Sequence, residues 1–294
     1  MTWWCSATGQ TWTWAWKAYP GVWLFIGLLG GWYWWVRRHD RAAPRGISVS
    51  AGAGASSGMQ ETLWFGTGLL ALWLSLDWPI GALGAGYLAS MHTVSYILLS
   101  LIAPPCLILG IPVAAQRRAA VAPWTGALLR QLARPAIGLS LYVMVLLSTH
   151  VPGVVDGLMG SQLGALAIDL AWLLGGIALW WPPMAPSPEF GHFTRPLKMG
   201  YLFLSTIASI IPSAFLTFAD YPMFATYELA PRVFTLMTAQ QDQQVAGLLM
   251  KIVGDLPVWF AFGVVFFRWA KASQTTPPPM HPDSLRAVGG TGGH

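Results

Sequence analysis

Charge is what this sequence has least of. Only 9% of its 294 residues are Asp, Glu, Lys or Arg, where a soluble globular chain carries about 25%. Cysteine is almost absent. Cys5 and Cys106 stand alone, neither in a C-x-x-C pair, so no thiolate metal site is signalled. A charged leader is missing too: Met1, Thr2, Trp3, Trp4, Cys5 and Ser6 lack the basic n-region of a signal peptide, so the first apolar run is expected to be a retained helix. No nucleophile–base pair or cofactor motif is present, and the chain reads as a non-enzyme. No internal repeat and no second domain are visible.

What is present is apolar and aromatic. Hydrophobic residues make up 55% of the chain, with 18 Trp and 32 Gly, and the mean hydropathy is +0.53. Trp collects at membrane interfaces and Gly lets helices pack closely. The chain reads as an all-α polytopic membrane bundle. A span needs about 20 mostly apolar residues, and seven such runs fall near 20–36, 60–78, 84–110, 135–151, 161–182, 199–219 and 244–268.

The net charge of +5 is a topology signal rather than a nucleic-acid one, because its basic residues lie in short loops between apolar runs. Arg37, Arg38, Arg41 and Arg45 follow the first run. Arg117, Arg118, Arg130 and Arg134 follow the third, Arg195 and Lys198 the fifth, and Arg268, Lys271 and Arg286 the seventh. That places 13 of the 16 basic residues on one side. The positive-inside rule then predicts seven transmembrane helices, the N-terminus outside and the C-terminus cytoplasmic. Cys5 and Cys106 fall near opposite faces, which argues against a disulfide. Three regions follow: a Trp-rich interfacial segment over 1–19, a membrane domain over 20–272, and a disordered tail over 273–294. The stretch 39–58, rich in Gly, Ala and Ser, reads as a flexible cytoplasmic connection.

Ionisable residues inside spans are costly and mark candidate sites. Asp169 lies about two turns inside the fifth run. Lys251 lies at similar depth in the seventh, and Asp255 follows it by four residues on the same helical face. Pairing among Asp169, Lys251 and Asp255 would lower the cost of all three, either as an ion-pair clamp between helices or as a proton- or metal-linked site. Lys251 to Asp169 is the expected contact between helices, with Asp255 secondary. His92, His150 and Met250 share the outer half of the bundle, and imidazole with thioether suits copper, especially the cuprous ion. His39, His192, His281 and His294 fall in loops or the tail and carry no signal. Pro104 and Pro105 are expected to kink or end the third helix.

Several segments resemble one family. Met91-His-Thr-Val-Ser-Tyr-Ile-Leu-Leu, then Ala103-Pro-Pro-Cys-Leu-Ile-Leu-Gly-Ile-Pro, is similar to the third helix of the CtaG-type cytochrome c oxidase assembly factors. Thr149-His-Val-Pro, Trp180-Trp-Pro and Asp242-Gln-Gln-Val-Ala-Gly-Leu-Leu-Met resemble further segments of that family, in order, over about 60 to 270. The resemblance implies a bacterial inner-membrane protein that helps build a haem–copper oxidase, with oxidase subunits and membrane lipids as partners and no nucleic acid. It also implies a possible periplasmic copper site, here reduced to His92, His150, Met250 and Asp169. The family's second His on the third helix falls at Tyr96. Its His-x-x-Glu-His falls on Ala165, Ile168 and Asp169, and the usual aromatic after the last Met is Lys251. Two other readings stand beside an assembly factor: a stably bound accessory subunit of an oxidase, and a transporter or proton channel using the Asp169, Lys251 and Asp255 set.

Overall fold

The computed structural model describes residues 2–42, 53–184 and 193–275. Half of the connection expected over 39–58, residues 43–52, the residues 185–192 including His192, and most of the tail with His281 and His294 lie outside the described residues; the other half of that connection is helical, as the end of α1 and the start of α2, rather than a flexible linker. Among the described residues all regular structure is helical: α1 (Pro20–Ala42), α2 (Ala53–Leu76), α3 (Ile80–Gly86), α4 (Ala89–Gly110), α5 (Val113–Val121), α6 (Pro123–Leu132), α7 (Pro135–Ser148), α8 (Pro152–Met159), α9 (Gln162–Met184), α10 (Arg195–Phe218), α11 (Ala225–Glu228) and α12 (Ala239–Gln274).

Four helices are long and apolar enough to cross a membrane: α4, α9, α10 and α12. Two bent pairs, α2 with α3 at 44° and α6 with α7 at 80°, raise the number to six. The sequence suggested seven. The difference lies in α1, which has the length, but whose aliphatic residues are diluted by Trp, Tyr and Gly and whose last turns hold Arg37, Arg38, Asp40 and Arg41.

The central helix is α4, with 72% of its most apolar stretch buried. It packs on α2, α3, α9 and α12. Gly176 of α9 allows one of these contacts. A Cβ there would lie 2.3 Å from the Ser100 carbonyl of α4, so only a residue without a side chain lets the two backbones approach this closely. Gly247 plays the same part between α12 and α10, where a Cβ would meet the Thr217 hydroxyl at 2.3 Å.

The Pro104–Pro105 pair does not end α4. The helix runs on to Gly110, and the turn before the prolines, Ile97–Ile102, widens into a π-helical stretch. Proline has no N–H for the carbonyl four residues back, so Pro104 frees Ser100, which lies inside that stretch. In α12 the same thing happens: Leu249–Val253 is π-helical, and Pro257 has no donor for Val253. The two widened turns are neighbours, since a Cβ at Gly254 would lie 3.5 Å from Ile97.

The end of the bundle at which α4 and α12 start is tied by Asp242. It is 1% exposed, and its carboxylate accepts from the backbone N–H groups of Ala89 at 2.6 Å and Ser90 at 3.3 Å, and from the Ser90 hydroxyl. These are first-turn donors of α4 that have no partner within the helix. The next residue, Gln243, accepts from the Met223 N–H at 2.6 Å. The Asp-Gln pair of the motif is therefore a helix-end clamp. Replacing Asp242 with Ala strands the buried donors and is expected to lower stability by about 1–3 kcal/mol, measured as a fall in thermal midpoint in detergent, with Asp242→Asn losing less.

Candidate functional site

The segment over 2–10, ahead of α1, enters the bundle. This differs from the interfacial belt expected of a Trp-rich leader. Trp4 and Cys5 are 2% and 4% exposed. Gln162, at the start of α9, receives the backbone N–H groups of Trp3 at 2.7 Å and Trp4 at 3.2 Å. The Ala7 N–H donates to the Met159 carbonyl at 2.9 Å, and the Tyr87 hydroxyl to the Gln10 carbonyl at 2.9 Å. Each bond satisfies backbone that water would otherwise have to reach.

This seating decides the environment of Asp169. Its Oδ2 accepts from the Trp4 indole N–H at 2.8 Å. Lys251 is not its partner. The Lys251 ammonium instead pairs with Asp255 Oδ2 at 2.7 Å, one turn along the same helix. It also donates to the Thr206 carbonyl at 2.8 Å and the Ser209 hydroxyl at 3.3 Å on α10, and Ser209 donates to Asp255 Oδ1 at 3.1 Å. The three-residue cluster expected from the sequence therefore divides: Lys251 and Asp255 staple α12 to α10, while Asp169 belongs to the N-terminal segment. The reason is reach. The i,i+4 spacing already offers Lys251 a carboxylate, and Asp169 is satisfied by an indole that the sequence had placed at the membrane surface.

Beneath the segment lies a small cavity of about 10 Å³, room for about one water. Cys5, Ser75, His92, Ser95, Met159 and Asp169 line it. The His92 Nε2 is buried without a hydrogen-bond partner in the protein. Burial first, then the Asp169 and Asp77 carboxylates, holds the Cys5 thiol well above its ordinary value, so Cys5 is a neutral thiol donating to the Leu76 carbonyl at 3.2 Å. Both cysteines are free and buried.

His92 and His150 do not join the lysine cluster. They flank Trp172 of α9, with ring centroids 4.6 Å and 6.4 Å from it. His150 Nδ1 is 2.7 Å from the Leu146 carbonyl, which makes it the donor there. Trp172 itself donates to the Thr149 hydroxyl at 2.9 Å. The positions where the resemblance led one to expect imidazoles are filled by Tyr96, Ala165 and Asp169, and the expected Glu position by Ile168; Tyr96, Ala165 and Ile168 are each at most 1% exposed. Tyr96 shares a hydrogen bond of 2.7 Å with Tyr142. Met250 is fully buried in the π-helical stretch of α12 and does not line the cavity.

Copper is the metal the resemblance implies, and the donors do not fit it as a set. Of His92, His150, Met250 and Asp169, only His92 and Asp169 line the cavity. Among the described residues no three His, Cys, Asp or Glu side chains converge as a metal-binding group.

One polar residue escaped the sequence reading. Asp77, between α2 and α3, is 1% exposed, and neither carboxylate oxygen has a partner in the protein. It sits at the end of an apolar run beside Trp78 and Pro79, where it looked like a loop residue. The one available signal was a carboxylate so close to a span.

A helical membrane bundle with a polar pocket under its N-terminal segment is the class that fold and site define. The family model for the cytochrome c oxidase caa3 assembly factor matches residues 30–272. The chain belongs to that family. No curated protein and no solved structure matches it. Residues 2–10, which bring Trp4 and Cys5 to Asp169, lie ahead of the matched region.

The staple makes a quantitative expectation. Lys251→Met and Asp255→Leu should couple by about 0.5–3 kcal/mol in a double-mutant cycle, the pair recovering part of what each single change loses. Lys251→Met with Asp169→Leu should be additive. Unfolding in detergent measures both cycles.

Proposed function

We propose that this chain works in the bacterial cytoplasmic membrane as an assembly factor for a haem–copper oxidase, and that it does so without catalysis and without a resident copper ion. Its partners are oxidase subunits and membrane lipids, not nucleic acid. The family match over 30–272 carries the assembly role. The division of His92, His150, Met250 and Asp169 among separate contacts supports the metal-free form over copper delivery at the periplasmic side.

In this reading α1 is the first of seven spans, and the basic end of the bundle faces the cytoplasm. A reporter fused after Ser273 is then active only as a cytoplasmic reporter. Periplasmic activity there would reverse the orientation.

A second reading, a permanent accessory subunit, is favoured by the same loss of converging ligands beside an intact fold motif, the Asp242 clamp. Two measurements separate the versions. Removing the gene should lower assembled oxidase, read as haem absorbance and oxygen consumption, and the wild-type gene should restore both. Purified oxidase carrying far less than one copy of this chain supports the assembly factor, and one copy per oxidase supports the subunit. Stoichiometric copper on the purified chain that survives mild chelation and vanishes in His92→Ala would replace the metal-free form with copper delivery. Unchanged oxidase in the deletion strain would sink the assembly role.

A further inference from the structure

Where α7 turns into α8, a groove of about 310 Å³ opens against α10. Val151 and Pro152 form one wall, and Ile211, Pro212 and Phe215 of α10 form the other. Val151, Ile211 and Phe215 are 49%, 52% and 63% exposed. Since α10 is long and apolar enough to cross a membrane, this open side meets lipid. No Asp, Glu, Lys or Arg lines the groove.

One side chain makes the slot selective. Among the lining residues only His150 carries a side-chain nitrogen or oxygen. Its Nδ1 lies 2.7 Å from the Leu146 carbonyl. A carbonyl only accepts, so Nδ1 holds the proton and Nε2 of the neutral ring is an acceptor. Nε2 has no hydrogen-bond partner among the described residues. The ring is held from behind, with Tyr96 edge-on to it at 5.5 Å and Trp172 at 6.4 Å between centroids. Pro152 and Pro212 bring no backbone N–H of their own.

An apolar slot with one fixed acceptor suits an apolar molecule that carries a hydroxyl. A phospholipid headgroup finds no cation there, and a plain acyl chain leaves Nε2 unpaired. A hydroquinone ring meets both demands. Its phenolic O–H is a stronger donor to imidazole than an alkanol's, and its flat face can lie against Phe215 and the two proline rings. The oxidised quinone has carbonyl oxygens in place of hydroxyls, so it would set an acceptor against an acceptor.

We propose that the groove between α7 and α10 binds an isoprenoid quinol in its reduced form, the phenolic hydroxyl donating to His150 Nε2 and the ring lying against Phe215. The site is separate from the cavity under the N-terminal segment and does not rest on the assembly role.

The full chain in mild detergent, kept anaerobic, tests this by equilibrium dialysis against decylubiquinol and decylubiquinone, with empty micelles as the blank. The quinol should saturate at one per chain and bind about fivefold more tightly than the quinone, the ratio that one hydrogen bond of about 1 kcal/mol carries. His150→Phe keeps a ring beside Trp172 and removes the acceptor, so quinol and quinone should then bind alike. Ile211→Trp fills the groove from its lipid-facing wall and should weaken both. Equal binding of the two forms by the wild type would overturn the proposal without any variant having to fold. A quinol preference that survives in His150→Phe would do the same, as would binding unchanged by Ile211→Trp. Displacement of the quinol by equimolar farnesol would make this a general site for lipid alcohols and overturn the quinol assignment.

Discussion

The carboxylate of Asp242 is the contact on which the end of this bundle where α4 and α12 start depends. A helix that starts inside a membrane protein has backbone donors that nothing in hydrocarbon can satisfy. Asp242 meets those of α4 from the first turn of α12. It thereby fixes two helix starts at one level, and everything measured from them follows. His92 comes one turn into α4, beside Trp172. Met250 comes about three turns into α12. Each helix then reaches a π-helical turn before its proline, and the two widened turns lie side by side. The family's Asp-Gln motif is thus first a device for setting the register of two helices.

The same constraint explains how the charged residues are distributed. None of Asp169, Lys251 and Asp255 is left without a polar partner, but the partners are as local as geometry permits. Lys251 takes the carboxylate one turn away and two oxygens of α10. Asp169 takes an indole. A metal-centred arrangement needs several donors to converge on one point; here each donor is satisfied at its own helix contact. Tyr96, Ala165 and Ile168 turn the space between α4, α7 and α9 into an aromatic and aliphatic core around Trp172.

Much of this was legible in the sequence. Apolar runs gave the helical membrane class, and α4, α9, α10 and α12 fall on predicted runs. The short motifs pointed to the family that the match over 30–272 shows. The i,i+4 spacing of Lys251 and Asp255 was visible as a shared face. The partner of Asp169 was not, because it comes from a segment 165 residues away whose tryptophans look like surface anchors. Nothing in periodicity tells a buried indole from an interfacial one when the segment is not a helix. Asp77 was lost for a related reason: a carboxylate at the end of a run reads as solvated, and only the folded chain buries it. The proline pair misled because sequence rules describe what proline removes, not the π-helical turn that absorbs the loss.

The seating of Trp4 also has a consequence in time. The segment that carries it is made before α1, yet its receptors, Gln162 and Asp169, emerge some 160 residues later. At about 5–20 residues per second the wait is roughly 10–30 s. Until α9 has entered the membrane, Trp3, Trp4 and Cys5 have no pocket to occupy, and Asp169 is threaded without its donor. Residues made ahead of every helix of the bundle are therefore among the last that can be locked in place.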